Sequence, residues 1–185
     1  MVDIYRAKVK DSGQWVEGLP YRDLNKTREF VWFIQVYKKN NNSETCESYE
    51  VDESTLCRTT GEKDKKGNTI WESDILMAHG NKLDLAKVSF GKFNVTDAES
   101  YDWVDTVTGW YYQPIHTDKL SKTIPYCLPM PLTASYIDLC EFEVVGNVFD
   151  TPDLLKSLVQ KKLENMKKKD KADKLALKKG KCIDE

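Results

Sequence analysis

The sequence predicts a mainly β domain, a small roll or barrel, with one α-helix appended at its C-terminal end. Two observations carry this. Short runs rich in β-branched and aromatic residues recur between residues 4 and 149, separated by Gly, Asn, Asp and Pro turn signals. The one clear helical stripe comes after them, at Leu155, Leu158, Val159, Leu163 and Met166. Strands and helices do not alternate and no repeat period is visible, which disfavours an α/β layout.

The elements follow in order. Ile4 to Val9 reads as a strand, Asp11-Ser12-Gly13 as its turn, and Gln14 to Gly18 as the return strand. Phe30 to Tyr37 is almost continuously apolar, which predicts a strand covered on both faces. Lys38 to Glu44, KKNNNSE, is expected to be a polar loop. Tyr49 to Asp52 begins a new element, with a turn at Glu53-Ser54-Thr55. Asp64-Lys65-Lys66-Gly67-Asn68 has hairpin-turn chemistry between Leu56–Thr60 and Ile70-Trp71. Asp74 opens the next strand. Ala86 to Phe90 and Lys92 to Val95 alternate around Gly91, as a hairpin or bent strand with one wet face. Gly109 to Ile115 is a strand whose Pro114 suggests an edge. Three prolines make residues 116–135 irregular, and Glu141 to Phe149 is the last strand. Thr151 as cap, Pro152 at the first helical position and Asp153 beside the dipole then start a helix over 152–167. Residues 168–185 are expected to fray.

At 185 residues the chain fits one domain with attachments. No run of about 18 apolar residues predicts a membrane span. The N-terminal MVDIYRAKVKD lacks an apolar signal core, so a cytoplasmic location is expected. Five scattered cysteines read as small reduced thiols, not as disulfides or a zinc set. The net charge of −2 hides a split: eleven lysines against five acids give residues 156–185 a charge of +6, leaving −8 on residues 1–155. An acidic body disfavours broad phosphate gripping, whereas the basic tail can touch nucleic acid or an acidic partner.

Four segments stand out in order: Ile4–Lys8 with Gly13–Gly18; Val51–Leu56; TTGEKDKKGNTIWESDIL over 59–76; and EVVGNVFDTPDLL over 143–155. Together they resemble the YopX family of bacteriophage and prophage proteins. Glu62, Trp71 and Ser73 depart from the family's usual Leu, Tyr and Gly. If position 73 needs positive φ, Ser costs about 1 kcal/mol there. Residues 96–140 match no family pattern and read as an elaboration within a domain spanning 1–155. The resemblance implies an SH3-like β-roll and a phage or prophage setting. It carries over no catalytic residue and no cofactor.

Chemistry is sparse. Asp64, Glu72 and Asp74 are close enough in sequence to suggest a divalent metal, but turn and strand-end capping explains them better. His79 and His116 pair with no nucleophile at a readable spacing, and no phosphate-loop or zinc-protease motif occurs. The aromatics are more suggestive. Trp15 and Trp71 read as core or groove lining, while Trp103, Trp110, Tyr111 and Tyr112, within the elaboration, are the candidate recognition surface. The expected function is a non-catalytic binding or accessory protein. Its partner is a host protein or small ligand, without metal, cofactor or membrane, and self-association is allowed. The alternative is a nucleic-acid accessory protein using Lys167, Lys168, Lys169 and Lys171 of the tail. A hydrolase with dispersed acids is a third, residual reading.

Overall fold

The chain builds two sheets one after the other. A computed structural model describes residues 4–24, 26–40, 43–97, 99–156 and 160. The first sheet takes strands β1 Tyr5–Lys8, β2 Trp15–Leu24, β3 Phe30–Asn40, β4 Ser43–Glu50, β5 Cys57–Lys63 and β6 Thr69–Trp71, in the order β4-β3-β2-β1-β5-β6. The second takes β7 Asp74–Met77, β8 Leu85–Thr96, β9 Trp103–Pro114, β10 Met130–Pro131 and β11 Glu143–Asn147, in the order β10-β9-β8-β7-β11. Every pairing is antiparallel. The changeover from one sheet to the other occupies only Glu72 and Ser73.

The mainly β class is therefore observed. Neither strand order returns on itself, so the described residues form two open sheets, not a closed barrel. They meet because β6 turns Ile70 into the second sheet's core, beside Leu76, Val88, Tyr112 and Phe142. A fully buried Ile or Leu contributes roughly 1.5–3 kcal/mol, so Ile70, Ile75 and Leu76 are principal fasteners. A smaller cluster, Ala7, Ile34 and Val51, lies under the first sheet.

Several expectations are corrected. KKNNNSE is mostly strand: β3 and β4 pair down to Asn40 opposite Ser43, and a Lys38–Glu47 ion pair bridges them. Polar composition misled because cross-strand charge pairs stabilise an exposed ladder as well as a loop. β3 is covered along Trp32, Ile34 and Val36, but Phe30 and Tyr37, near its two ends, are exposed. β9 is second in its sheet, yet at Pro114 it is an edge, as the proline suggested. β10 reaches only Tyr111 and Tyr112, and the Ile115 amide donates to Leu85 on the β8 side. Position 114 thus faces a side without a partner strand, and proline's missing N–H costs no ladder bond. At the end of the segment read as irregular and beyond it, Ala134–Leu139 forms a short helix, α1, capped by the Thr133 side chain. Cys57 is buried as expected of a small thiol, whereas Cys46 is exposed.

At the predicted helix start, Pro152–Leu155 makes one 3-10 turn and Lys156 is extended. The Thr151 hydroxyl does not cap it. It accepts from the Asn147 amide at 3.0 Å and donates to the Asn147 carbonyl at 2.8 Å. Nearly all of the rest of the expected helix, and the whole basic tail, lie outside the described residues. No helix among the described residues is long and apolar enough to cross a membrane.

Candidate functional site

The acids suggested as metal ligands go to three different places. Asp64 buries both carboxylate oxygens in the β5–β6 turn. Oδ1 accepts from the Lys66 and Asn68 amides at 2.9 and 2.8 Å, while Oδ2 accepts from Asn68 Nδ2 and the Val144 amide, both at 3.0 Å. Burial pushes its carboxyl up, but these donors together hold it below the ordinary value. Glu72 pairs with Arg58 at 3.2 Å. Asp74 is ion-paired with Arg6 and accepts from the Trp71 amide at 2.9 Å. Burial pushes the Asp74 carboxyl up to about 6 against the pull of Arg6. Among the described residues, no three His, Cys, Asp or Glu side chains are grouped to hold a metal ion.

Arg6 itself lies between two indoles, 4.7 Å from the Trp15 ring centroid and 5.3 Å from that of Trp71. Trp15 in turn donates from Nε1 to Asp150 Oδ2 at 2.8 Å, and Lys8 is ion-paired with the same carboxylate. These bonds, with that from Asn147 Nδ2, hold Asp150 down to about 2. Gly146 permits this corner, since a Cβ there would stand 2.1 Å from Thr151 Oγ1. Ser73 has φ of +66°, its amide donates to Val88 and its carbonyl accepts from Val148. The turn thus keeps the left-handed conformation although Ser replaces Gly.

The central region is arranged differently. The long β8–β9 hairpin has two aromatic faces, and the four predicted recognition residues divide between them. Trp110 and Tyr112 point inward. Trp110 meets Phe90 edge-on at 5.0 Å beneath Arg58, while Tyr112 packs against Phe142 at 4.9 Å. Tyr112 is buried and Trp110 half-buried, so neither is the exposed surface expected of it. Tyr111 points outward and stacks on Phe93 at 4.9 Å, across the paired glycines Gly91 and Gly109. Trp103 is 66% exposed, and its Nε1 donates to Thr106 Oγ1 at 3.3 Å. Together with Tyr101, Leu128 and Pro129 they line an open groove of about 390 Å³.

Sequence reasoning missed Phe93 and Tyr101 as parts of this groove. The alternation along β8 is the signal for Phe93. Tyr101 is placed by the Asp97 turn, where the side chain accepts from the Glu99 and Ser100 amides and Tyr101 adopts φ of +61°.

A family model described as YopX protein matches residues 4–156. The chain belongs to the YopX family. No curated protein matches it. Among solved structures it is similar to the crystal structure of protein EF1440 from Enterococcus faecalis, at 14% identity and a TM-score of 0.43, covering 84% of this chain and 99% of that one.

The four YopX-like segments are scattered in sequence and adjacent in space. Val9 bridges to Val51, next to the first segment; Arg6 bonds Asp74; Trp15 bonds Asp150; and Asp64 bonds Val144. The last three link one segment to another directly, and the Asp52 amide, donating to the Lys8 carbonyl at 2.9 Å, does so for the first two. The residues that carry the YopX resemblance therefore form a single bonded framework, and the outer groove lies in the region that the quoted segments leave out. His79 and His116 take no part in the framework: the His116 ring is bonded to the Ser121 carbonyl at 2.7 Å, and His79 lines a separate pocket under residues 115–130.

Proposed function

We propose that this protein is a phage- or prophage-encoded, non-catalytic binding protein of the host cytoplasm. Its outer groove receives a side-chain cluster of a partner protein. The observation that carries this is Trp103: a large indole, two-thirds exposed, oriented by Thr106 on a paired hairpin and adjoining the Phe93–Tyr111 stack. Exposed aromatics held in a fixed geometry lose little side-chain entropy on binding and dominate interface energetics. The SH3-like roll implied by the resemblance belongs to this reading, supported by the short antiparallel β1–β5–β6 strands turning directly into β7.

The test compares wild type with Trp103→Ala and Tyr111→Ala in capture from host lysate, followed by titration of the purified captured partner. Each variant is expected to weaken binding at least tenfold, with Trp103→Ala melting as wild type does. Tight binding by both variants overturns the proposal. Self-association through the same groove would appear as concentration-dependent mass that Trp103→Ala abolishes.

A second reading rests on the +6 charge of residues 156–185. Lys167, Lys168, Lys169 and Lys171 would neutralise phosphates of a nucleic acid. Affinity should then fall steeply with salt and vanish on deleting residues 167–185. A gel shift showing no complex at low salt dismisses it.

A further inference from the structure

A second cavity opens on the other side of the hairpin and shares none of the outer aromatic residues. Its volume is about 340 Å³, the lower end of the range for small-molecule sites. It lies between the turn joining β7 to β8 and the segment 115–130. Two alanines, Ala78 and Ala86, leave the space that larger side chains at these core positions would fill. Ile115, Leu128, Met130 and Phe142 supply the apolar walls.

Two polar residues, Tyr112 and Asp84, line this space. The Tyr112 side chain is buried, and its hydroxyl is hydrogen-bonded to Cys140 Sγ at 4.0 Å. A thiol at that distance is a weak partner for a buried phenol. At the mouth, Asp84 is exposed, and its side chain makes no hydrogen bond or ion pair among the described residues. The neighbouring Asp118 is occupied by the Ser121 amide at 2.9 Å. His79 also borders the mouth. Partial burial raises the Asp84 carboxyl, with His79 pulling it down and Asp118 pushing it up.

We infer that this pocket binds a small amphipathic amine, with its apolar body among Ala86, Ile115 and Phe142 and its ammonium against Asp84. Two carboxylates at the mouth disfavour an anionic head, and the apolar walls disfavour a wholly polar molecule. The Tyr112 hydroxyl, held only by a weak bond to Cys140, can add a contact to a polar atom or π-face of the same molecule. The cavity shares Leu128 with the outer groove but none of its aromatic or polar residues, so the two readings have separate tests.

The probe is 2-phenylethylamine, with 3-phenylpropionate as its counterpart of opposite charge, followed by amide NMR at about pH 8 so that ordinary imidazoles are neutral. The amine is expected to shift the Leu85, Ala86 and Tyr112 amides saturably, with the acid at least tenfold weaker. Asp84→Asn, which removes no bond within the protein, should weaken the amine about tenfold without changing the melting temperature. The inference is overturned if the amine gives no saturable shift at about 10 mM, well beyond a millimolar dissociation constant. It is equally overturned if acid and amine bind alike, or if the shifts map to Phe93 and Tyr111. Because the charge comparison uses wild-type protein, it decides the matter even if a variant misfolds.

Discussion

Asp64 and Asp84 are both carboxylates beside a turn, and the protein treats them differently. Asp64 takes four donors, one of them from a strand 80 residues away. Asp84 takes none among the described residues and stands at the mouth of a pocket. The same contrast separates the family framework from the central region. Framework side chains such as Arg6, Asp64, Asp74, Asn147 and Asp150 are bonded to one another or to distant backbone. In the central region, Trp103, Tyr126 and Leu120 are more than half exposed and two concavities lie open. Groups already bonded internally have little left for a partner, so recognition falls to side chains outside the framework.

The sharpest way to break this comparison is Asp74→Ala. It leaves the Arg6 guanidinium buried between two indoles without its counter-charge, and unfolding free energy should fall by about 3–5 kcal/mol in urea titrations. A loss under about 1 kcal/mol would mean that the framework is not bonded in the sense argued.

The pH dependence sharpens it next, because two framework acids act with opposite sign. Asp74 is raised from the ordinary 3.8 to about 6, so the stability it contributes is fully present below 3.8 and lost as pH rises through about 6. Asp150 is lowered from 3.8 to about 2, so its contribution is present above 3.8 and lost as pH falls through about 2. Urea unfolding across pH should show Asp74→Asn altering the slope between 3.8 and about 6. Asp150→Asn should alter it only below 3.8. The reverse pattern would refute the assignment.

Smaller effects follow. Ser73→Gly relieves a side chain at φ of +66° and should stabilise by about 0.5–1 kcal/mol, after the greater unfolded-state entropy of Gly is counted, raising the melting temperature by about 2 °C. Smallest of all, Trp103→Ala should change stability by less than about 0.5 kcal/mol, since the indole covers little. A larger loss would make Trp103 part of the framework after all.

Most strands up to residue 95, the Asp64 turn and the family were legible in the sequence, because each depends on neighbours within a few positions or on motifs read whole; β4 was not, because its polar residues read as a loop. The helix α1 was not legible. Six residues between prolines carry too little periodicity, and its N-cap at Thr133 resembles any loop threonine. The outer groove was half legible: its aromatics stood out by composition, but their division into two faces did not.

By itself the sequence determined local geometry and ancestry: which segments extend, where Asp and Gly turn the chain, and that four motifs belong together. Only the tertiary structure decided what those motifs touch, that Arg6 finds Asp74 and Trp15 finds Asp150, and which side of β9 meets solvent. The reason is physical. Strand side chains alternate with period two, so exposure is set by what packs on each face, and that packing joins residues whose separation along the chain carries no local signal.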